Sequence, residues 1–211
     1  MEVNPDSLPW QSLYKIFIGS VVPRPIGWVS TLDAMDQPNL APFSFFNAVC
    51  ANPPHLLFCP MVRGMDRSSK DTLNNVRATG EFVINIVTEE LAEAMNITAT
   101  ELPPGINEFE RANLQSAPSV VVRPPRVAES PVHFECKLAQ IIDLGDGGPG
   151  SGSIVIGRVV HVHVDERVLI DGDKIDLLEL KPIGRLAGFG YTRVTDLFEM
   201  VRPPSEIKPS G

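Results

Sequence analysis

The segments RPIGWVST (24–31), NLAPFSFF (39–46) and RSSKDT (67–72) follow one another within a short span of the chain. The first segment is rich in β-forming residues and predicts a strand, and the second predicts an extended strand end that runs into a loop. Residues 33–38 between them are turn-like, so the two segments predict a β-hairpin. The third segment is a polar turn that opens a helix. These three segments therefore predict a hairpin followed by the start of a helix.

The helix behind the third segment is predicted over residues 67–80. Ser68 is placed at its N-cap, Asp71 three residues later completes a capping box, and Gly80 stands just past the end. A helix N-terminus presents unpaired N–H groups and a partial positive charge, which together favour a bound phosphate. The simpler alternative is that Ser68 and Asp71 cap a surface helix that binds nothing.

Three polar side chains strengthen the phosphate interpretation. Ser69 and Thr72 supply hydroxyl donors beside Ser68, and Lys70 supplies a full positive charge. Arg63 and Arg67 precede them, so this stretch forms a local basic patch in a chain whose formal net charge is −8. The overall acidity argues against non-specific binding to nucleic acid or to an anionic membrane.

The second segment has the features of a site for a flat ring. Pro42 removes one backbone donor and fixes the chain, and Phe43, Phe45 and Phe46 surround the hydroxyl of Ser44. An aromatic loop beside backbone donors suits a planar ligand, although packing in the core is an equally good interpretation of the phenylalanines. A planar ring next to a phosphate site predicts flavin mononucleotide, FMN.

The length and composition indicate one globular domain over residues 1–211. Hydrophobic residues make up 43% and charged residues 21% of the chain, which is ordinary for such a domain. Residues 1–10 are predicted to form an N-terminal arm and residues 192–211 a C-terminal tail. The apolar runs are too short to span a membrane and the N-terminus lacks the pattern of a signal peptide, so a cytoplasmic location is expected.

The remaining pattern predicts a mainly β fold. Residues 55–61 and 81–87 are predicted strands, and residues 132–144 and 153–165 form a long hairpin around the glycine-rich segment GDGGPGSG (145–152). The predicted helices are residues 11–18, 88–97 and 108–114, whereas the chain from Lys181 onward is expected to be irregular. Because helices and strands do not alternate regularly, the sequence favours a closed antiparallel β-barrel with inserted helices over a doubly wound sheet.

Several other motifs in the chain do not indicate a functional site. GDGGPGSG matches the dinucleotide fingerprint in its letters, but a strand rather than a helix follows, which excludes a Rossmann site. The three cysteines contain no CxxC pair and are expected to be buried. His161 and His163 share one strand face and are able to hold a metal, but a third ligand is not obvious, so a polar outer face is favoured and no metal site is predicted.

The motifs together resemble a known family. The motifs that carry the resemblance span most of the chain in order: PRPIGWVST (23–31), NLAPFSFFN (39–47), SKDT (69–72), GEFVINIV (80–87), EFE (108–110) and GRLAGFGY (184–191). The chain is similar to the flavin reductase-like, FMN-binding split-barrel family, which includes flavoredoxins and the small reductase components of two-part monooxygenases. The resemblance implies a Greek-key type antiparallel barrel, a homodimer, and FMN held non-covalently near the subunit interface.

The resemblance also implies which residues hold the flavin. Thr31 and the backbone of residues 39–46 lie near the ring and the ribityl chain, Ser69, Lys70 and Thr72 lie near the phosphate, and Arg185 and Tyr191 approach the flavin or the dimer contact. No side chain is assigned a catalytic role, because the flavin carries the chemistry. The complete predicted cofactor-binding set is Arg24, Pro25, Thr31, Asn39, Ala41, Pro42, Phe43, Ser44, Phe45, Ser68, Ser69, Lys70, Thr72, Arg185 and Tyr191.

Three functions are compatible with these observations. The first is an oxidoreductase that passes hydride from NADH or NADPH to flavin, for which an oxygenase or an electron-transfer protein is a possible partner. The second is a flavoredoxin-like electron carrier that is reduced by a protein and has no nicotinamide pocket. The third is a binding or structural split barrel that has lost its cofactor. The sequence does not identify the electron donor.

Overall fold

A computed structural model describes residues 2–64, 68–103 and 105–207. The strands within these ranges are β1 (Gly27–Leu32), β2 (Pro38–Phe43), β3 (Phe46–Ala51), β4 (Pro54–Phe58), β5 (Glu81–Ile86), β6 (Ser116–Ala117), β7 (Arg126–Val127), β8 (Val132–Leu144), β9 (Gly152–Val164), β10 (Leu169–Ile170), β11 (Lys174–Ile175), β12 (Ile183–Arg185) and β13 (Tyr191–Arg193). The α-helices are α1 (Trp10–Ser20), α2 (Asp71–Thr79), α3 (Ala92–Ile97), α4 (Glu108–Arg111) and α5 (Leu177–Leu180), and short 3-10 helices cover Pro5–Ser7, Glu89–Leu91 and Glu166–Val168.

The main sheet of the described residues contains seven strands in the order β2-β1-β5-β8-β9-β4-β3, and neighbouring strands are antiparallel. Its two edge strands, β2 and β3, are consecutive in the chain and are joined by Ser44 and Phe45. That link spans at most roughly 11 Å, whereas the edges of a flat seven-stranded sheet lie about 29 Å apart. The sheet must therefore curl until its edges face each other, which confirms the predicted mainly β, barrel-like architecture with inserted helices.

The sheet is stabilised by a separate apolar cluster on each face. On β1, Trp28 packs into one cluster with Met95 and Phe109, and its neighbour Val29 packs into the other with Phe82. This alternation follows from the two-residue period of a strand. Leu73 and Val76 of α2 belong to the Val29 cluster, so burial of these side chains holds the N-terminus of α2 against the β1–β2 hairpin.

The predicted hairpins and most strands are confirmed, but several boundaries are wrong. β1 pairs with β2 and β8 pairs with β9, as expected. Helix α2 begins at Asp71 rather than at residue 67, and its N-cap is Lys70 rather than Ser68. Arg67 itself lies outside the described residues, whereas Gly80 ends the helix with φ of 69°, as predicted. The segment after Lys181 contains the hairpin β12–β13 and is not wholly irregular.

Two other expectations require correction. Residues 46–51 form strand β3 at the sheet edge, where only a loop was expected after the Phe-rich segment. Cys136 is buried, but Cys50 is exposed on β3 because that edge strand turns most of its side chains to solvent.

The N-terminal helix is the least buried long element. α1 confirms the helix expected at residues 11–18, yet it contains no buried residue. Trp10, Tyr14, Ile16 and Phe17 are all exposed apolar residues of this helix. None of the helices in the described residues has the length and apolar character needed to span a bilayer.

Candidate functional site

A buried polar network fixes the start of α2 against the β1–β2 hairpin. Asn39 is its centre: its Oδ1 accepts a hydrogen bond of 2.8 Å from the Thr72 hydroxyl, and its Nδ2 donates to Glu108 Oε1 at 2.9 Å. One turn further along α2, Asn75 donates to the Thr31 hydroxyl at 3.0 Å. Thr31 and Thr72 are almost completely buried. The Thr31 hydroxyl therefore supports the site from beneath, whereas Thr72, although almost buried, borders the cavity beside Lys70.

Glu108 anchors the other side of this network. Its Oε2 accepts the backbone N–H of Leu40 at 3.1 Å, while its Oε1 is held by Asn39. Burial raises the pKa of the Glu108 carboxyl, against the opposing effect of these hydrogen bonds. The EFE segment entered the family resemblance, but no role was predicted for Glu108, because its partners are about seventy residues away in sequence.

Two cations, Arg63 and Lys70, line the same region. Arg63 forms a salt bridge of 2.5 Å with Asp71, and Lys70 forms one of 3.0 Å with Glu101. Burial acts to raise the pKa of Glu101, but the hydrogen bond and the positive charge of Lys70 outweigh it and the pKa is lowered. Glu101 therefore stays ionised at neutral pH.

The Arg63 side chain has one donor that is not satisfied. Its Nε is buried and has no hydrogen-bond partner within the described part of the chain. Its side chain is only 10% exposed, so solvent does little to compensate. A buried guanidinium N–H without a partner is costly, which makes it a position where a bound anion would be stabilised. The Arg63 side chain therefore fits a bound phosphate at this position.

The N-terminus of α2 adds backbone donors to the same place. Lys70 occupies the N-cap in an extended conformation, and its side chain makes no capping hydrogen bond in the described structure. The predicted N-cap at Ser68 is therefore wrong, because Lys70 occupies that position. Asp71 pairs with Arg63, and the first residues of the helix line the same cavity as the two cations.

A groove runs from this region along β2. It consists of two cavities that share Pro42 and Ala99 in their walls. The first, here named the Lys70 lobe, encloses about 70 Å³, and the second, the Arg185 lobe, encloses about 400 Å³. The predicted site residues that line the Lys70 lobe are Asn39, Ala41, Pro42, Phe43, Lys70 and Thr72, and those that line the Arg185 lobe are Arg24, Pro42, Ser44, Arg185 and Tyr191.

Arg24 in the Arg185 lobe serves the fold. It is 4% exposed, and its Nη1 donates to the carbonyls of Ile18 at 2.8 Å and Val21 at 2.9 Å. Its Nη2 donates to the carbonyl of Leu186 at 3.0 Å. The guanidinium thus ties the end of α1 to the segment after β12. In contrast, Arg185 lies over the Tyr191 ring at 4.4 Å and borders the open cavity.

The other predicted site residues lie outside the two lobes. Pro25 is exposed at the start of β1. Phe45 lines a separate apolar cavity of about 470 Å³ between α1 and the β8–β9 tip. Ser69 borders a further cavity near that tip, and the carbonyl of Ser68 accepts the backbone N–H of Arg63 at 2.9 Å.

Sequence reasoning missed the opposite wall of the Lys70 lobe. Residues 98–102, which include Glu101, follow α3 and close this side, and Arg63 reaches in from the chain before α2. Arg63 was noticed as part of a basic patch, so the cluster of cations was the available signal. The sequence contains no local signal that brings residues 98–102 to the same place, because that contact depends on how α3 packs.

Comparisons with known proteins agree with this architecture. Residues 18–174 match the flavin reductase like domain family. The chain is 42% identical over 204 residues to an uncharacterized protein of Halalkalibacterium halodurans, covering 96% of this chain and 97% of that protein. Nitrilotriacetate monooxygenase component B from Bacillus cereus has a similar structure, with a TM-score of 0.89, 37% identity, and coverage of 95% and 98% of the two chains.

A second solved structure extends the comparison. The 2-nitrobenzoate 2-nitroreductase of Pseudomonas fluorescens superimposes with a TM-score of 0.85 at 31% identity, over 100% of this chain and 99% of that one. The match of the family domain covers most of the chain, and both structural relatives align along nearly their whole lengths. The chain therefore belongs to the flavin reductase-like family of split-barrel proteins.

Proposed function

We propose that the groove along β2 binds FMN with its phosphate in the Lys70 lobe. The observation that carries this proposal is Arg63: its buried Nε has no hydrogen-bond partner among the described residues, and its side chain borders the cavity that Lys70 and the start of α2 also line. Two cations, hydroxyl-bearing side chains and helix N–H groups are the donor types that a phosphate requires. The small volume of this lobe suits a phosphate better than a ring.

The larger Arg185 lobe is the proposed position of the ring system. Its wall combines the aromatic ring of Tyr191 with apolar side chains such as Ile26 and Met95, and Ser44 and Asn96 add polar groups. A planar ligand with one polar edge is matched by such a mixture. When bound, the flavin supplies the redox chemistry by accepting a hydride and passing electrons onward.

We infer that the protein is an NAD(P)H-dependent flavin oxidoreductase. Two of its relatives above 30% identity are named as a monooxygenase component and as a nitroreductase, and both names describe redox proteins. The residues of the Arg185 lobe would orient the flavin, while Arg24 keeps the surrounding backbone in place. An oxygenase or an electron-transfer protein is the proposed recipient of the electrons.

A flavoredoxin-like electron carrier is the alternative, which the family resemblance keeps open. Steady-state oxidation of NADH and of NADPH, with free FMN as the acceptor, separates the two functions. Turnover with either nucleotide supports the reductase, and its absence with both, in a protein that binds flavin, supports the carrier.

The proposed assembly is a homodimer. α1 exposes Trp10, Ile16 and Phe17, and residues 194–207 form an irregular tail in which Phe198 and Val201 are more than 80% exposed. Exposed apolar area of this kind is stabilised when another protein surface covers it. Sedimentation velocity of the flavin-loaded protein should show a dimer, and a monomer at micromolar concentration would contradict this part of the proposal.

Riboflavin provides the sharpest test of the phosphate position, because it shares the ring of FMN but has no phosphate. We expect Arg63→Met to weaken FMN binding by about tenfold or more and to leave riboflavin binding unchanged, as measured by flavin fluorescence. Comparing FMN with FAD in the same assay identifies the preferred cofactor. If the affinities for FMN and riboflavin fall together, the phosphate does not lie in the Lys70 lobe.

A further inference from the structure

A second polar cluster lies on the β8–β9 hairpin, outside the groove along β2. His161 and His163 project from one face of β9, and the strand register places them opposite Glu135 and His133 of β8. The ladder shifts register just after Glu135, and such irregularities re-aim neighbouring side chains. The sheet therefore places a carboxylate beside the two histidines, which the sequence pattern did not indicate.

The geometry of this cluster is compact. The His161 and His163 rings are 4.6 Å apart between centroids, and a donor atom from each histidine and from Glu135 lie within 4.8 Å of one another. Both histidines are partly exposed, whereas the Glu135 carboxylate is fully buried. Two imidazoles can thus be approached from solvent, with a fixed negative charge directly behind them.

Glu135 is held rigidly. Its two oxygens accept backbone N–H groups from Val120, Val121 and Val122 at 2.7, 2.6 and 3.1 Å. Oε1 also lies 2.6 Å from His163 Nε2. A carboxylate only accepts hydrogen bonds, so His163 donates to Glu135 from Nε2, and Nδ1 is the ring nitrogen that this contact leaves available to a metal. Histidines that bind metals commonly have this second interaction with a carboxylate.

We propose that His161 and His163 bind a divalent transition-metal ion of the class that prefers imidazole, with Glu135 as a positioning residue. His163 would coordinate through Nδ1, and water would complete the coordination shell. Zn²⁺, Ni²⁺ and Cu²⁺ are the ions that favour imidazole nitrogen, whereas Mg²⁺ and Ca²⁺ favour oxygen. The site involves none of the residues placed in the Lys70 or Arg185 lobes, so it does not depend on the proposed function.

His161→Ala is the most informative variant. Among the described residues, His161 makes no hydrogen bond that this change would remove, and the contact between Glu135 and His163 is kept. The variant should therefore fold and bind flavin normally. His55→Ala is the matched control, because it removes a histidine from β4 that belongs to no cluster, and Cys50→Ser removes the exposed thiol, which is another ligand for soft metals.

The experiment is a calorimetric titration of ZnCl₂ into the full-length, flavin-loaded chain after any histidine tag has been cleaved. We expect one Zn²⁺ per chain with micromolar affinity, weakened more than about tenfold by His161→Ala or His163→Ala and unchanged by His55→Ala or Cys50→Ser. Unchanged affinity in His161→Ala, loss of binding in Cys50→Ser, or no binding to the parent chain would each overturn the proposal.

The role of Glu135 has a separate readout. Nitrogen chemical shifts of the imidazoles should show that Zn²⁺ binds His163 at Nδ1 while Nε2 keeps its proton. A purely structural contact between Glu135 and His163 would not select one nitrogen for the metal. Coordination of Zn²⁺ through Nε2 would show that Glu135 does not position this ligand.

Discussion

The two lobes of the groove use their cations in opposite ways. In the Lys70 lobe, Arg63 and Lys70 are paired with the carboxylates of Asp71 and Glu101. In the Arg185 lobe, Arg24 donates to three backbone carbonyls from its Nη atoms and, from Nε, to the Ser44 hydroxyl at 3.4 Å. A side-chain carboxylate can swing away and be replaced by a ligand phosphate, whereas a backbone carbonyl cannot leave without a change in the chain path. Only the first arrangement is therefore suited to binding an anion.

Arg24→Gln tests whether Arg24 serves the fold, and it should have the largest effect on stability. It removes the shared donor of the carbonyls of Ile18, Val21 and Leu186, and each hydrogen bond lost from a charged donor costs about 1.5–3 kcal/mol. We expect the free energy of unfolding to fall by about 3–5 kcal/mol, measured by denaturant titration. Arg185→Ala, whose side chain is more exposed, should cost less than about 1 kcal/mol, and an equal loss in both variants would remove the distinction.

His133 is a second group paired with a backbone carbonyl, and it extends the comparison to pH. Its Nε2 lies 2.8 Å from the carbonyl of Val127, and burial lowers its pKa from 6.5 to about 4. Between these two values the unfolded chain binds more protons than the folded chain, so stability is lost as the pH falls from about 6.5 to about 4. The expected loss is on the order of 3 kcal/mol.

The measurement is the free energy of unfolding at pH 7 and at pH 4.5, with EDTA present. His133→Gln retains a donor for Val127 and should reduce the loss on acidification, while His55→Gln should not. A parent chain and a His133→Gln variant with the same pH dependence would show that His133 is not buried as a neutral group.

Lys70→Ala tests whether the cations of the Lys70 lobe bind the phosphate of FMN. Removing a charge-assisted contact to the phosphate should weaken FMN binding by about 10–100-fold, with little change in stability because Lys70 is partly exposed. Arg77→Ala is the matched control, since it removes a positive charge from the other end of α2. Equal FMN affinity in the parent chain and in Lys70→Ala would remove Lys70 from the site.

The sequence predicted the strands and helices around this site better than the contacts between them. The β1–β2 and β8–β9 hairpins were found because strand periodicity and turn residues are local signals. The start of α2 was misplaced because Ser68 and Asp71 match a capping box, although Asp71 instead pairs with Arg63. A motif gives the groups that are able to form a hydrogen bond, and tertiary packing decides which of them do.

The two arginines show the same limit. Arg24 was predicted to lie near the flavin and Arg63 was noticed only as part of a basic patch, whereas Arg24 donates to three carbonyls and the Nε of Arg63 has no partner among the described residues. Two of these carbonyls, those of Ile18 and Val21, are close to Arg24 in sequence, whereas that of Leu186 is 162 residues away. No local pattern contains the long-range contact, while the predicted residues Asn39, Ala41, Pro42, Phe43 and Ser44 line the groove along β2.

Thr72→Val should have a smaller effect than Lys70→Ala. The Thr72 hydroxyl is buried and donates to Asn39, so its loss should lower stability by about 1 kcal/mol and weaken FMN binding only a few-fold. Thr79→Val, at the other end of α2, removes a hydroxyl that donates to a backbone carbonyl and serves as the control. An FMN affinity lower than that of Lys70→Ala would mean that Asn39, through Thr72, matters more to the phosphate site than the charge of Lys70.

Glu101→Gln should have the smallest effect and the opposite sign. If the carboxylate of Glu101 only neutralises Lys70 until a phosphate replaces it, removing its charge frees Lys70 and should strengthen FMN binding about two- to fivefold at low salt. The gain should shrink as ionic strength rises, because both side chains are 29% exposed and therefore screened. Weaker FMN binding in Glu101→Gln would instead show that Glu101 orients Lys70 toward the ligand, so that this ion pair would be a fixed structural contact like those of Arg24.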